Sequence, residues 1–101
     1  MDPWDRIAAH LEATDGVRLH TDRRGRRWCV SNRLVARPYD ASILVIRSGF
    51  REREHLLEQH PETFSVRPEL EAHQKVLADV MGGDLDAICA AIDAAVALQR
   101  R

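Results

Sequence analysis

The sequence predicts an α+β domain, a two-layer α-β(3)-α-β(2)-α arrangement in which helices cover one face of an antiparallel sheet. Three observations indicate this class. Apolar residues recur at helical spacing near both ends of the chain, strand-like alternation fills its middle, and turn residues separate the segments. Half-apolar strands bury one face under the helices and leave the other face polar and accessible. A length of 101 residues suits one core, so a single domain is predicted over residues 1–101.

The first helix is predicted to begin at Asp2-Pro3 and to end at Asp15-Gly16. Asp2 can cap the exposed backbone N–H groups, and Pro3 loses no hydrogen bond at the first helical position. Gly16 suits the left-handed conformation that is common after a helix. The apolar face of this helix is formed by Trp4, Ile7, Ala8 and Leu11.

Two strands are predicted next, joined by a tight turn at Gly25. In the first, Val17, Leu19 and Thr21 alternate with polar residues. In the second, which extends to Arg37, one face is predicted to carry Trp28, Val30, Leu34 and Ala36 and the opposite face Val35. Trp28 therefore belongs to the core rather than to a base-stacking platform. Asn32 favours a bulge or a turn within this run as the alternative to one regular strand.

The second half of the chain alternates strands and helices. Continuous apolar character makes residues 42–47 the clearest strand and indicates a central position in the sheet. A helix follows, with Ser48 as its predicted cap, and ends before Pro61. Short strands are predicted at residues 64–66 and 75–81, and Asp84 caps the last helix after Gly82-Gly83.

Composition excludes several classes of protein. No apolar run approaches the roughly 20 residues that span a bilayer, and the acidic start of the chain lacks a signal pattern, so a soluble cytoplasmic protein is predicted. Cys29 and Cys89 stand alone and far apart, which indicates two reduced, packed thiols rather than a metal or redox motif.

Charge is distributed unevenly although the net charge is only −1. Residues 15–50 carry eight arginines against three aspartates, a net charge of +5, whereas residues 51–101 carry six basic against ten acidic residues, a net charge of −4. Such asymmetry indicates either an anion-binding surface or two solvated faces. The candidate nucleic-acid-binding residues are Arg18, Arg23, Arg24, Arg26, Arg27, Arg33 and Arg37, with Arg47 joining them if the register allows.

Three interpretations of the arginine-rich segment stay open. If the second strand is regular, Arg27, Arg33 and Arg37 project from one face and bind DNA phosphates, with the hairpin turn as a wing. A sequence pI near 6.5 favours instead a plain solvated face. A protein-binding or homodimerising module, with the second strand as an exposed edge, is the remaining alternative.

Enzymatic activity, metal sites and cofactors are not predicted. His55 and His60 are five residues apart, which does not place them on one helical face as paired metal ligands. No serine lies in a nucleophile elbow, and Gly82-Gly83 lacks the Lys and Ser/Thr of a phosphate-binding loop.

The segment from Ser42 to Leu98 resembles the MmcQ/YjbR-like family of small bacterial proteins. The likeness lies in three segments: the strand Ile43–Arg47, the helix leading to Pro61-Glu62-Thr63-Phe64-Ser65-Val66-Arg67-Pro68, and Val76-Leu77-Ala78-Asp79-Val80 before Asp84. The family's basic turn before a strand is similar to Arg24-Gly25-Arg26-Arg27-Trp28. The resemblance implies a secretion-chaperone-like α-β(3)-α-β(2)-α fold. Members are often labelled DNA-binding, and no catalytic residues carry over.

The chain departs from that family at two places. It has Glu71-Ala72-His73-Gln74 where an aromatic residue usually precedes the fifth strand, and only residues 13–16 separate the first helix from the first strand. A ligand groove formed at those places in relatives would be altered here. A second family of small bacterial domains, named after a luciferase-associated region, has a similar order of helices and strands and is the alternative resemblance.

Overall fold

Six antiparallel strands form one open sheet, and three helices accompany it. The computed structural model describes residues 1–101. The elements follow in the order α1 (Pro3–Ala13), β1 (Val17–Asp22), β2 (Gly25–Val30), β3 (Arg33–Pro38), β4 (Ile43–Arg47), α2 (Phe50–Gln59), β5 (Phe64–Ser65), a 3₁₀ turn (Pro68–Leu70), β6 (Lys75–Asp79) and α3 (Leu85–Gln99). The sheet order is β1-β2-β3-β4-β6-β5, so the predicted α+β class with an antiparallel sheet is confirmed.

The structure has one strand more than the sequence predicted between the first two helices. Ser31 and Asn32 both have positive φ, 50° and 64°, and form a two-residue turn between β2 and β3. Such turns match the twist of antiparallel strands. The predicted second strand is therefore two paired strands, as its Asn32 alternative anticipated.

A bulge in β3 changes which residues face the helices. Cys29 pairs with Leu34 and Trp28 pairs with Ala36, which leaves Val35 as the extra residue. Val35 and Ala36 are both fully buried in the helix-side core, because a bulge interrupts the alternation of side chains. The expectation that Leu34 shares the Trp28 face and Val35 the opposite face was wrong for this reason.

The main core lies between the sheet and the helices, where 19 buried residues form one cluster. Trp28, only 1% exposed, is the largest of them, so its predicted core position is confirmed. On the opposite face, Leu70 packs against Val45 and Leu77 and forms a smaller cluster. The face of the sheet that is turned away from the helices is called here the open face, and residues 66–70 cover part of it.

The N-termini of the helices follow the sequence signals in two of three cases. Asp2 accepts a hydrogen bond from the backbone N–H of Asp5, and Asp84 accepts one from Ala87, as predicted. The prediction that Ser48 caps α2 was wrong, because Gly49 is the N-cap and no side chain bonds there. None of the helices combines the length and the apolar character needed to cross a membrane.

Candidate nucleic-acid interface

The open face carries basic side chains in two rows that cross neighbouring strands. The register pairs His20 with Arg27, and Arg37 with Val45, and the Trp28–Ala36 pair places Arg27 and Arg37 at the same level. The next row contains Arg18 on β1 and the Arg47–Lys75 pair on β4 and β6. Strands lie about 4.8 Å apart, so the second row reaches roughly 19 Å from Arg18 on β1 to Lys75 on β6, whereas the first row ends at Arg37 on β3.

Few acids neutralise these side chains. Arg27 forms an ion pair with Asp22, with Nη2 and Oδ2 3.5 Å apart. The chain's other ion pairs join Arg6 to Asp86, His10 to Asp93 and His60 to Glu62, and none of them involves the open-face cations. Four cations of the two rows are thus without an ion-pair partner: Arg18, Arg37, Arg47 and Lys75.

Lys75 shows how close together the cations lie. Burial lowers the pKa of its ammonium group, and the guanidinium groups of Arg37 and Arg47 lower it further. The Nε of Arg47 is buried and has no hydrogen-bond partner. Positive charges thus face one another at the β3–β4–β6 part of the sheet, an arrangement that an approaching anion would relieve.

Replacing Lys75 with Gln is expected to stabilise the protein. A lysine whose folded-state pKa is lowered binds its proton more weakly in the folded chain than in the unfolded one. Its positive charge therefore opposes folding at neutral pH. This penalty disappears as the pH rises toward 10.5, where the lysine loses its proton in both states. Removing like charges on neighbouring strands typically gains about 0.2–1 kcal/mol. Urea denaturation at pH 7 in low salt measures this gain, which should shrink in 1 M salt; a loss of stability would contradict it.

Four of the seven predicted arginines lie away from the open face. Arg23 and Arg24 are exposed at the tip of the β1–β2 hairpin, where Gly25 has φ of +108°. Arg26 lies on the helix side of β2, with its guanidinium carbon 5.2 Å from the centre of the Trp28 ring. Only Arg18, Arg27 and Arg37 of the predicted set share the open face.

Arg33 has a structural contact instead of an open-face position. Its Nη1 donates hydrogen bonds to the backbone carbonyls of Arg101, at 3.0 Å, and Gln99, at 3.5 Å. A guanidinium there satisfies carbonyls at the end of α3, which have no partner within the helix. The turn between β2 and β3 accounts for this change of face, because it pairs Arg33 with Val30 on the helix side; the bulge at Val35 comes after Arg33 and returns Arg37 to the open face.

Lys75 was missed as a site residue, and Arg47 was named only as a conditional member. Lys75, Leu77 and Asp79 alternate with the buried Val76 and Ala78, so alternation alone could have assigned Lys75 to the open face. Its position beside Arg47 additionally requires knowledge that β6 pairs with β4.

The remaining chemical groups form no second constellation on this face. Cys29 is buried, which raises the pKa of its thiol, and both cysteines are free. No group of three or more His, Cys, Asp or Glu side chains lies close enough to hold a metal ion.

Comparisons of the chain with known protein families, curated proteins and solved structures find no match.

Proposed function

We propose that the chain is a small, non-enzymatic DNA-binding domain of the bacterial cytoplasm that binds the phosphate backbone through the open face of its sheet. The observation that carries the proposal is the group of Arg37, Arg47 and Lys75, which lie together without an ion-pair partner. Guanidinium groups bind phosphate oxygens in a bidentate manner, and ammonium groups bind them as point charges. The resemblance to the MmcQ/YjbR-like family, whose members are often labelled DNA-binding, agrees with this proposal.

The dimensions of the basic rows suit a polyanion better than a small anion. A span of roughly 19 Å corresponds to about six nucleotides of one strand at ~3.4 Å per nucleotide. The hairpin tip, with Arg23 and Arg24 exposed, extends the basic surface beyond the end of the sheet. Tyr39 packs against the open-face cluster, but Arg67 lies 5.1 Å from the centre of its ring and its hydroxyl donates to Glu69. Backbone contacts rather than base stacking should therefore dominate, and sequence preference should be weak.

Fluorescence anisotropy with a labelled 20-base-pair duplex tests the proposal. Four unpaired cations that each displace one counterion predict a slope of about −3.6 for log K against log salt, and hence roughly 100-fold weaker binding in 200 mM than in 50 mM salt. We expect a micromolar Kd in 50 mM salt. No change in anisotropy up to 100 μM protein would contradict the proposal.

A protein-interaction or homodimerising role is the second candidate, and the free edge of β1 favours it. The prediction that the second strand serves as the edge was wrong, because β2 and β3 lie inside the sheet. β1 is six residues long, has no neighbour on one side, and exposes 44% of Leu19. An edge of this kind can pair with a second copy. Light scattering should then give twice the monomer mass, unchanged by Arg27→Glu; a monomer at 100 μM would reject this candidate.

A further inference from the structure

A pocket of about 530 Å³ lies between the beginning of α2 and the end of α3, and Arg47 is the one open-face cation among its lining residues. Its volume falls within the ~300–1,000 Å³ that is typical of small-molecule sites. One wall consists of α3 residues with small or apolar side chains, among them Ala94, Ala97 and Leu98. The other wall is the turn from Arg47 into α2.

The lining of the pocket is strongly basic. It contains three arginines, Arg47, Arg51 and Arg101, against a single acidic side chain, that of Glu52. None of the three arginines takes part in an ion pair, and their side chains make no hydrogen bond within the chain. Three arginines in the lining of one cavity, none of them with an acidic partner, are suited to an anion that accepts several hydrogen bonds.

The backbone adds to the attraction for an anion. Gly49 is the N-cap of α2 and lines the pocket, and no side chain accepts the hydrogen bonds of the first helical turn. Those N–H groups and the positive end of the helix dipole therefore attract an anion, as the arginines do.

We infer that this pocket binds a small phosphate monoester with an apolar or aromatic body, of the mononucleotide class. The phosphate is placed at the arginines and the first turn of α2, and the body packs against the alanine-rich wall of α3. The inference does not rest on DNA binding. Of the open-face cations only Arg47 lines the pocket, so the other lining residues can bind a phosphate whether or not the open face binds DNA.

Isothermal titration calorimetry with adenosine monophosphate, adenosine and inorganic phosphate tests the inference. We expect the monophosphate to bind most tightly, inorganic phosphate more weakly because it lacks the body, and adenosine at least about tenfold more weakly than the monophosphate, because it lacks the charge-assisted hydrogen bonds. Adenosine binding as tightly as the monophosphate, or no binding of the monophosphate at 1 mM, would overturn the inference.

Two variants separate loss of the site from loss of the fold. Arg51→Gln should weaken monophosphate binding about tenfold or more. Gly49→Asp should do the same by repulsion without lowering the melting temperature, because Gly49 has an ordinary φ of −59°, the nearest atom to an added Cβ is 3.9 Å away, and Asp can cap α2. Monophosphate binding by Gly49→Asp at the wild-type affinity would overturn the inference.

Arg24→Gln is the matched control, since it removes the same charge at the hairpin tip and should leave monophosphate affinity unchanged. An equal loss in Arg24→Gln and Arg51→Gln would show general charge attraction rather than a site, and would overturn the inference. Duplex DNA binding in the absence of monophosphate binding would overturn it too, while leaving the proposed function standing.

Discussion

Replacing Arg53 with Ala is expected to lower the free energy of unfolding by about 3 kcal/mol, because several carbonyls inside the protein lose their donor. Arg53 is only 9% exposed, and its guanidinium lies 4.9 Å from the centre of the Phe50 ring. It donates hydrogen bonds to the backbone carbonyls of Leu70 (3.4 Å), Glu71 (3.0 Å), His73 (2.8 Å) and Lys75 (3.3 Å). One side chain of α2 thereby holds the segment that leads into β6.

Chemical denaturation of Arg53→Ala measures this loss, and Arg51→Ala is the matched control on the same helix. The Arg51 side chain is exposed and makes no hydrogen bond, so its replacement should change the free energy of unfolding by less than about 0.5 kcal/mol. The loss of stability in Arg53→Lys should lie between the losses in Arg53→Ala and Arg51→Ala, because one ammonium group with three N–H donors cannot donate to all four carbonyls. A loss below about 1 kcal/mol in Arg53→Ala would show that these carbonyls find other donors.

The double variant Arg37→Glu/Lys75→Glu is expected to bind duplex DNA at least about 100-fold more weakly than the wild type in 50 mM salt. Each replacement removes a charge-assisted contact that is worth about 1.5 kcal/mol or more, roughly tenfold in affinity, and adds repulsion. Because Lys75 is crowded by Arg37 and Arg47, the double variant should remain folded.

The control for that experiment is Arg51→Glu/Arg101→Glu, which changes the net charge by the same amount outside the open face. If DNA binds through the open face, this control should lose only a few-fold in affinity, through the long-range field. Equal losses in the two double variants would mean that net charge, and not the placement of cations on the sheet, determines binding.

Local patterns in the sequence account for most of the fold. The alternation of Val17, Leu19 and Thr21, the apolar run at Ile43–Arg47 and the Asp caps of α1 and α3 each follow from interactions within a few residues. The break at Ser31-Asn32 was the weakest local signal, because these residues adopt positive φ only with help from the pairing of β2 with β3.

The candidate site was less accessible from the sequence, because it depends on long-range pairing. Alternation tells which face of a strand a residue occupies, but it does not tell which strand lies beside it. Lys75 lies next to Arg47 only because β6 inserts between β4 and β5. Arg33 left the predicted group because the turn at Ser31-Asn32 pairs it with Val30 on the helix side, where it reaches the end of α3.

The burial of Arg53 has a signal in the sequence. It occupies an apolar position of α2, three residues after Phe50 and three before Leu56. A charged residue at such a position is buried only when it is satisfied by hydrogen bonds, so the pattern indicated a buried arginine with backbone partners. Which carbonyls it contacts could not be read from the sequence, because they lie 17 to 22 residues further along the chain.

The placement of DNA on the open face is the central claim, and amide chemical-shift mapping of the ¹⁵N-labelled protein with a 20-base-pair duplex tests it most directly. We expect the largest shifts at the amides of Arg18, Arg37, Arg47 and Lys75, with smaller shifts at the hairpin tip and little change along the outer surfaces of α1 and α3. Shifts confined to the hairpin tip or to the helices, with the strands β3, β4 and β6 unaffected, would contradict the claim.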